Sequence, residues 1–199
     1  NTWFGGVGVG WMNYFTFIII AVFISGLMVG RTPELLGHKV EAREMKIASI
    51  VALLHPFIIL VGTALAAYLF AHAPEFVASE GGWLNNPGYH GLSEMLYEYT
   101  SSAANNGSGF EGLGDNTLWW NLSASVALLA GRYSVLIIPV LIAVSLATKP
   151  QAAESKGSLQ IESPTFALTL IGIVLILTLL QFMPVLVIGP IADYLSIKV

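Results

Sequence analysis

Asn105, Asn106, Gly107 and Ser108 sit inside a run, Ser101-Ser102-Ala103-Ala104-Asn105-Asn106-Gly107-Ser108-Gly109-Phe110, with no charge and no large aliphatic side chain. What such a run offers chemically is its backbone. Glycine admits dihedrals that let successive carbonyls point one way. Carbonyl oxygens can replace the water shell of a potassium ion without a fixed negative charge. Ser108 and the asparagine side chains would hold the loop from behind. Composition alone admits two readings, a surface turn of small residues or one quarter of a potassium selectivity filter. Asn106-Gly107-Ser108 also matches a glycosylation sequon, a weak pattern.

The ionisable residues add to this. Glu94 and Glu98 are spaced i,i+4 and share a helix face, which suits a metal site or, with Glu111 and Asp115, a set of outward carboxylates at an outer vestibule. Carboxylates there raise the local concentration of cations. Arg132 lies within an apolar segment, where an arginine costs on the order of 3 kcal/mol and must face protein or water. It reads as a cation beneath the loop that repels or times a passing ion, or as half of a structural pair at a helix break. His55, next to Pro56, reads as a protonatable group or, more simply, as a hydrogen-bonded packing histidine. Asn106-Gly107-Ser108-Gly109 comes near the G-x-S-G pattern of intramembrane serine hydrolases, with His55 and His90 as bases, but the first glycine is missing. Gly26 to Thr32 imitates a phosphate-binding loop with one spacer too few and Arg31 for lysine. Neither G-x-G-x-x-G nor H-E-x-x-H occurs. No nucleotide is expected on this chain, so any energy source belongs to another polypeptide.

The elements that must position these residues are membrane elements. The 199 residues are 55% hydrophobic and only 10% charged, against about 25% charged in soluble domains. A net charge of -4 does not favour nucleic acid, and no Lys/Arg cluster supplies a phosphate-tracking face. The absence of cysteine excludes disulfides, thiolate metal sites and a cysteine nucleophile. No cleavable signal peptide is read at Asn1, and the glycine-rich start, Trp3 to Gly10, reads as a flexible lead-in to a piece of something longer.

Crossing a bilayer takes about 20 apolar residues, and four segments qualify: Met12 to Gly30, Ile47 to Ala71 with His55-Pro56 near its middle, Leu122 to Thr148, and Pro164 to Gly189. Proline at 56 predicts a kink. The third span is expected to break at Gly131-Arg132 and carries Pro139, and the fourth to end at Met183-Pro184 and Gly189-Pro190. In the polar insert Arg31 to Lys46, Thr32-Pro33-Glu34 predicts a helix N-cap with proline at the first helical position. Leu92 to Ala104, capped by Ser93 or a neighbour, predicts a helix too short to span. A half-length helix followed by the run at 105–110 is the pattern of a re-entrant pore loop, which is tolerated in a membrane only where protein or water surrounds it. Pro74, Gly81-Gly82 and Asn86-Pro87-Gly88 mark turns.

Basic residues set the orientation. Arg31, Lys39, Arg43 and Lys46 fall in the first loop and Lys149 and Lys156 in the last, whereas 72–116 holds no Lys or Arg but six acidic residues, Glu75, Glu80, Glu94, Glu98, Glu111 and Asp115. The positive-inside rule puts 31–46 and 149–163 in the cytoplasm and 72–116 outside.

Phe4-Gly-Gly-Val-Gly-Val-Gly10, Gly26-Leu-Met-Val-Gly-Arg-Thr-Pro-Glu-Leu-Leu-Gly37, Arg43-Glu-Met-Lys46, Asn86-Pro-Gly88 with His90-Gly91, Ser101 to Phe110, and Gly131-Arg132 to Pro139 carry a resemblance over nearly the whole chain. The sequence resembles the potassium-binding A chain of the bacterial Kdp potassium-transporting ATPase (KdpA), over about its C-terminal third. The resemblance implies an all-α integral membrane protein related to potassium channels and Trk/HKT transporters, built from four helix–pore loop–helix repeats. In that frame 1–30 closes the third repeat, 31–46 is a cytoplasmic loop, and 47–148 is the fourth repeat. Residues 149–163 are a cytoplasmic linker, and 164–199 form a final accessory helix and C-terminus. Potassium, the transported ion, would bind the backbone of Asn105, Asn106, Gly107 and Ser108, with Gly107 the filter glycine and Arg132 the arginine below it. Gly109 and Glu111 stand at positions where small residues such as alanine are expected, a departure that bears on the shape and field of the loop's mouth. The partners implied are the remaining repeats, a P-type ATPase B subunit that hydrolyses ATP, the C and F subunits, and the lipid of the bacterial cell membrane. A different class of function is a membrane assembly scaffold in which the loop is only a turn.

Overall fold

Hydrocarbon offers the backbone no water, so a chain of long apolar segments must close its hydrogen bonds within helices. The computed structural model of the chain describes residues 6, 8–86, 88–151 and 160–197. Its elements are α1 (Gly10–Val29), a hairpin of β1 (Glu34–Leu35) and β2 (His38–Lys39), α2 (Ala42–His72), α3 (Pro74–Ser79), α4 (Tyr89–Ala104), α5 (Leu118–Ala147) and α6 (Pro164–Ile197). By length and composition α1, α2, α5 and α6 can each cross a membrane. The 20 residues of α1 extend about 30 Å, the thickness of a hydrocarbon core. Large apolar side chains such as Phe57, Leu129, Leu168 and Leu180 point outward, as suits a surface that meets lipid or further protein rather than water.

Several boundaries differ from the sequence expectation. Thr32-Pro33-Glu34 does not begin a helix. Leu36 and Gly37 both take positive φ, 52° and 77°, and that two-residue turn folds the chain back into a hairpin pairing Glu34 with Lys39. The helix starts instead after Glu41, where Glu41 and Glu44 form a reciprocal capping box. Gly131-Arg132 does not interrupt α5, which runs unbroken through Pro139, and α6 continues past Pro184 and Pro190 to Ile197. A proline removes one hydrogen bond, and the flanking turns carry the helix on. Pro74 begins the short helix α3 rather than only a turn. Ser93 lies inside α4, whose first residue follows Gly88. Half of the glycine-rich lead-in (residues 3–5 and 7), the turn residue Pro87 and the linker's Lys156 lie outside the described residues.

Two apolar clusters organise the packing. At one end, Phe17, Ile20 and Val22 of α1 meet Leu35 and Val40 around the hairpin, Ala48 of α2, Ile142 and Leu146 of α5, and Phe166, Leu170 and Val174 of α6. At the other end, Ile59 and Ala66 of α2, Met95, Leu96 and Tyr99 of α4, Trp120 and Ala127 of α5, and Phe182 of α6 enclose Trp83. Glu80 joins this end, accepting from Trp83 Nε1 at 2.7 Å and from the Trp119 backbone N–H at 3.1 Å. The half-length α4 is wedged between α2, α5 and α6. Its close approach to α5 depends on Gly131, where a methyl group would collide with the backbone carbonyl of Ala103.

The first cluster is closed by ions. Glu44 is fully buried, and it accepts from Lys149 Nζ at 2.7 Å and Ser145 Oγ at 2.6 Å. Lys149 also bonds Glu41 at 3.0 Å and the carbonyl of Lys39 at 3.1 Å. The start of α2, the hairpin and the end of α5 are therefore tied together at one end of the bundle.

Candidate functional site: the loop after α4

α4 stops because Asn105 turns left-handed at φ 61°, a conformation asparagine tolerates better than most residues. The N–H groups of Asn105 and Asn106 then return to the carbonyls of Ser102 and Ser101 at 3.0 and 2.9 Å, closing the last turn in the manner of a Schellman motif. The Asn105 side chain donates to the Leu128 carbonyl of α5 at 3.2 Å, so one amide locks the helix end to its neighbour. From Asn106 to Phe110 the chain is neither helix nor strand. Gly107 has φ 73° with nothing within 4 Å of where a Cβ would lie, so backbone conformation rather than crowding calls for glycine.

The returning chain is strapped to the helix it left. The N–H of Ser108 donates to Ser101 Oγ at 2.8 Å, and the Ser108 hydroxyl lies 3.1 Å from the hydroxyls of both Ser101 and Tyr97. The Tyr97 ring stacks on Phe110 with centroids 4.7 Å apart. Ser101 to Ala104 are buried, while 106–110 are exposed on this chain. The result is a short loop of backbone carbonyls on a rigid base, with Ser101 and Tyr97 as anchors. Their i,i+4 spacing is the sequence signal that could have named Tyr97 in advance.

The carboxylates divide. Glu94 was expected to face outward but is 3% exposed. It accepts from the backbone N–H groups of Asn85 and Asn86, at 3.3 and 3.1 Å, and from the Asn86 side chain at 3.0 Å. It holds the turn before α4, because its helix face points into the bundle. Glu98 is half-buried and accepts from Ser102 Oγ at 3.1 Å. Burial pushes the Glu98 carboxyl up from the usual carboxylate range, the Ser102 hydrogen bond opposes this, and the charge of Asp115 adds to the rise. Glu111 and Asp115 are exposed.

Arg132 is partly buried on α5, one residue beyond the contact of Gly131 with Ala103, and its Nη1 lies 4.0 Å from where a Cβ on Gly8 would be. The hydroxyl of Ser108 is engaged by Tyr97 and Ser101, and His90 faces Asp193 of α6 at 3.5 Å. That arrangement does not pair Ser108 with a histidine base, as a hydrolase would need. Among the described residues no three His, Asp or Glu side chains gather around a common point, so the oxygens on offer at the loop are those of its backbone and its Asn and Ser side chains.

Four apolar helices of spanning length, three of them packed on a half-length helix, define an all-α integral membrane protein. The family described as "Potassium-transporting ATPase A subunit" (KdpA) matches residues 1–195. The chain belongs to that family. It is 71% identical over 197 residues to the potassium-transporting ATPase potassium-binding subunit of Phocaeicola vulgatus, covering 99% of this chain and 35% of that protein. It is 62% identical over 197 residues to the protein of the same name from Parabacteroides distasonis, with the same coverage. With that from Geobacillus kaustophilus it shares 50% identity over 198 residues, covering 100% of this chain and 34% of the relative. The chain thus spans about a third of the length of these relatives.

Proposed function

We propose that the chain is part of the potassium-binding and translocating membrane subunit of an ATP-driven potassium uptake pump, and that Asn105, Asn106, Gly107 and Ser108 form one of its four selectivity-filter loops. The observation that carries this is the left-handed Asn105 and positive-φ Gly107 in a loop strapped to a half-length helix, in a chain whose relatives are named as potassium-binding subunits. Potassium exchanges its water for carbonyl oxygens, and the site works only if the loop cannot collapse or splay. The bonds from Ser101 and Asn105 supply that rigidity.

In this reading 1–30 closes the third repeat, 47–148 is the fourth, and 164–199 is an accessory helix. The loops at 31–46 and 149–163 are cytoplasmic and 72–116 faces outward. The tie between Lys149 and the Lys39 carbonyl supports a common side for both basic loops. Exposed Glu111 and Asp115 draw cations to the mouth, and Arg132 stands below the filter at the level where α4 meets α5. Hydrolysis of ATP belongs to the P-type ATPase B subunit, with the C and F subunits completing the complex.

The test is Gly107→Asp in the full-length complex. Loss of growth at low potassium and a raised potassium requirement for ATPase activity are the expected results. Wild-type behaviour on both counts sinks the filter assignment.

A further inference from the structure

Three side chains on neighbouring turns of α4 face the chain that leaves the loop. Tyr97 stacks on Phe110, Ser101 holds the N–H of Ser108, and Glu98 lies against the residue between them, Gly109. A Cβ on Gly109 would lie 3.1 Å from Oε2 of Glu98, tighter than ordinary contact. Gly109 does not have the positive φ that explains glycine at 107. What a side chain at 109 would meet is therefore the carboxylate. The other oxygen of Glu98 accepts from Ser102 one turn along, which fixes the carboxylate's direction. The ionisable groups near it are Asp115, from the segment after the loop, and Tyr99, whose own hydroxyl is committed to Ser123 of α5 at 2.9 Å.

We propose that Glu98 is a positioning and specificity-determining residue: its carboxylate, packed against Gly109, fixes the returning limb of the loop and with it the discrimination of potassium from sodium. This rests on reading 105–108 as a filter loop. Glu98 acts from behind the loop, neither touching the ion nor standing in the vestibule. Neutralising it removes the charge that faces Gly109, between the limb's anchors at Ser108 and Phe110, so the limb can shift there and the carbonyls can close on a smaller ion. Because burial raises the Glu98 carboxyl, it takes up a proton at higher pH than an exposed glutamate. Protonation removes a negative charge from behind the loop, so potassium affinity falls as pH falls.

The experiment is ATPase activity of the assembled full-length complex titrated with potassium chloride and with sodium chloride. The proteins compared are the wild type, Glu98→Gln, Glu98→Asp and Gly109→Ala, with Gly107→Asp as reference. In Glu98→Gln the half-saturating potassium concentration is expected to rise about tenfold while the maximal rate changes less than about twofold, as for a lost positioning contact. The margin over sodium should narrow, and the fall in affinity on acidification should flatten. Glu98→Asp is expected to recover part of the loss, and Gly109→Ala to lose affinity in the same direction. The inference is overturned if Glu98→Gln and Gly109→Ala keep wild-type affinity and sodium rejection while Gly107→Asp loses them. It is equally overturned if both variants fail to assemble, which would make Glu98 a folding residue. Wild-type behaviour of Gly107→Asp overturns the filter reading itself, and this inference with it.

Discussion

The hydroxyl of Ser101, 1% exposed on the last turns of α4, accepts the backbone N–H of Ser108 at 2.8 Å. The chain from Ser101 to Ser108, with positive φ at Asn105 and Gly107, is thus closed into a loop whose carbonyls are held together. The loop is defined from beneath by its own helix.

Ser101→Ala removes that acceptor and leaves the Ser108 N–H without it. The cost is about 1 kcal/mol, small for the fold but concentrated on the loop. The expected outcome is an assembled complex of nearly wild-type thermal stability with a raised half-saturating potassium concentration. Equal potassium titrations of variant and wild type would show that the bond does not govern the loop.

Gly131 admits the end of α4 onto α5, and a methyl there collides with the Ala103 carbonyl. Gly131→Ala should cost on the order of 1–3 kcal/mol by overpacking, read as a lowered melting temperature of the purified complex. Gly172 on α6 has nothing within 4 Å of a built Cβ. Gly172→Ala should leave the melting temperature unchanged or raise it, since alanine favours the helix by about 1 kcal/mol.

Lys149 faces the buried Glu44 carboxylate at 2.7 Å. Burial alone would lower the Lys149 pKa, but its hydrogen bonds to Glu44 and Glu41 outweigh this and hold it above the ordinary value near 10.5. A raised pKa gives stability that is complete below the unfolded value and is lost only as pH rises through the folded one. The pair should therefore contribute equally at about pH 6 and about pH 9. Lys149→Met strands a buried charge and should cost about 3 kcal/mol, while Glu44→Gln combined with Lys149→Met should recover much of it. Thermal unfolding of the complex at both pH values measures each point.

Arg132→Ala should lower potassium transport while leaving the yield of assembled complex near wild type. Transport assays beside size-exclusion yield separate the outcomes. A complex that does not assemble would make Arg132 a structural residue.

Much of the architecture was legible because hydrophobic length is a strong signal. Spans expected at Met12 to Gly30 and Ile47 to Ala71 emerged as Gly10–Val29 and Ala42–His72. Proline misled at the ends: Pro33 suggested a helix where the Leu36-Gly37 turn makes a hairpin, and Pro184 and Pro190 suggested a stop where α6 continues. The half-length helix before the small-residue run was readable, its exact start less so, because no side chain caps it. Glu94 and Glu98 looked alike in sequence. Only packing separates the buried ligand of Asn85 and Asn86 from the half-buried neighbour of Gly109. The pair of Glu44 with Lys149 joins residues 105 positions apart, and no local pattern announces it.

The central claim, that 105–108 coordinates potassium, is tested most directly by amide hydrogen exchange on the assembled full-length complex, with potassium compared against choline. The account predicts that potassium slows exchange across residues 105–110 and not in the hairpin at 34–39. Exchange at 105–110 that is the same in both salts would contradict it and leave the loop a turn in a scaffold.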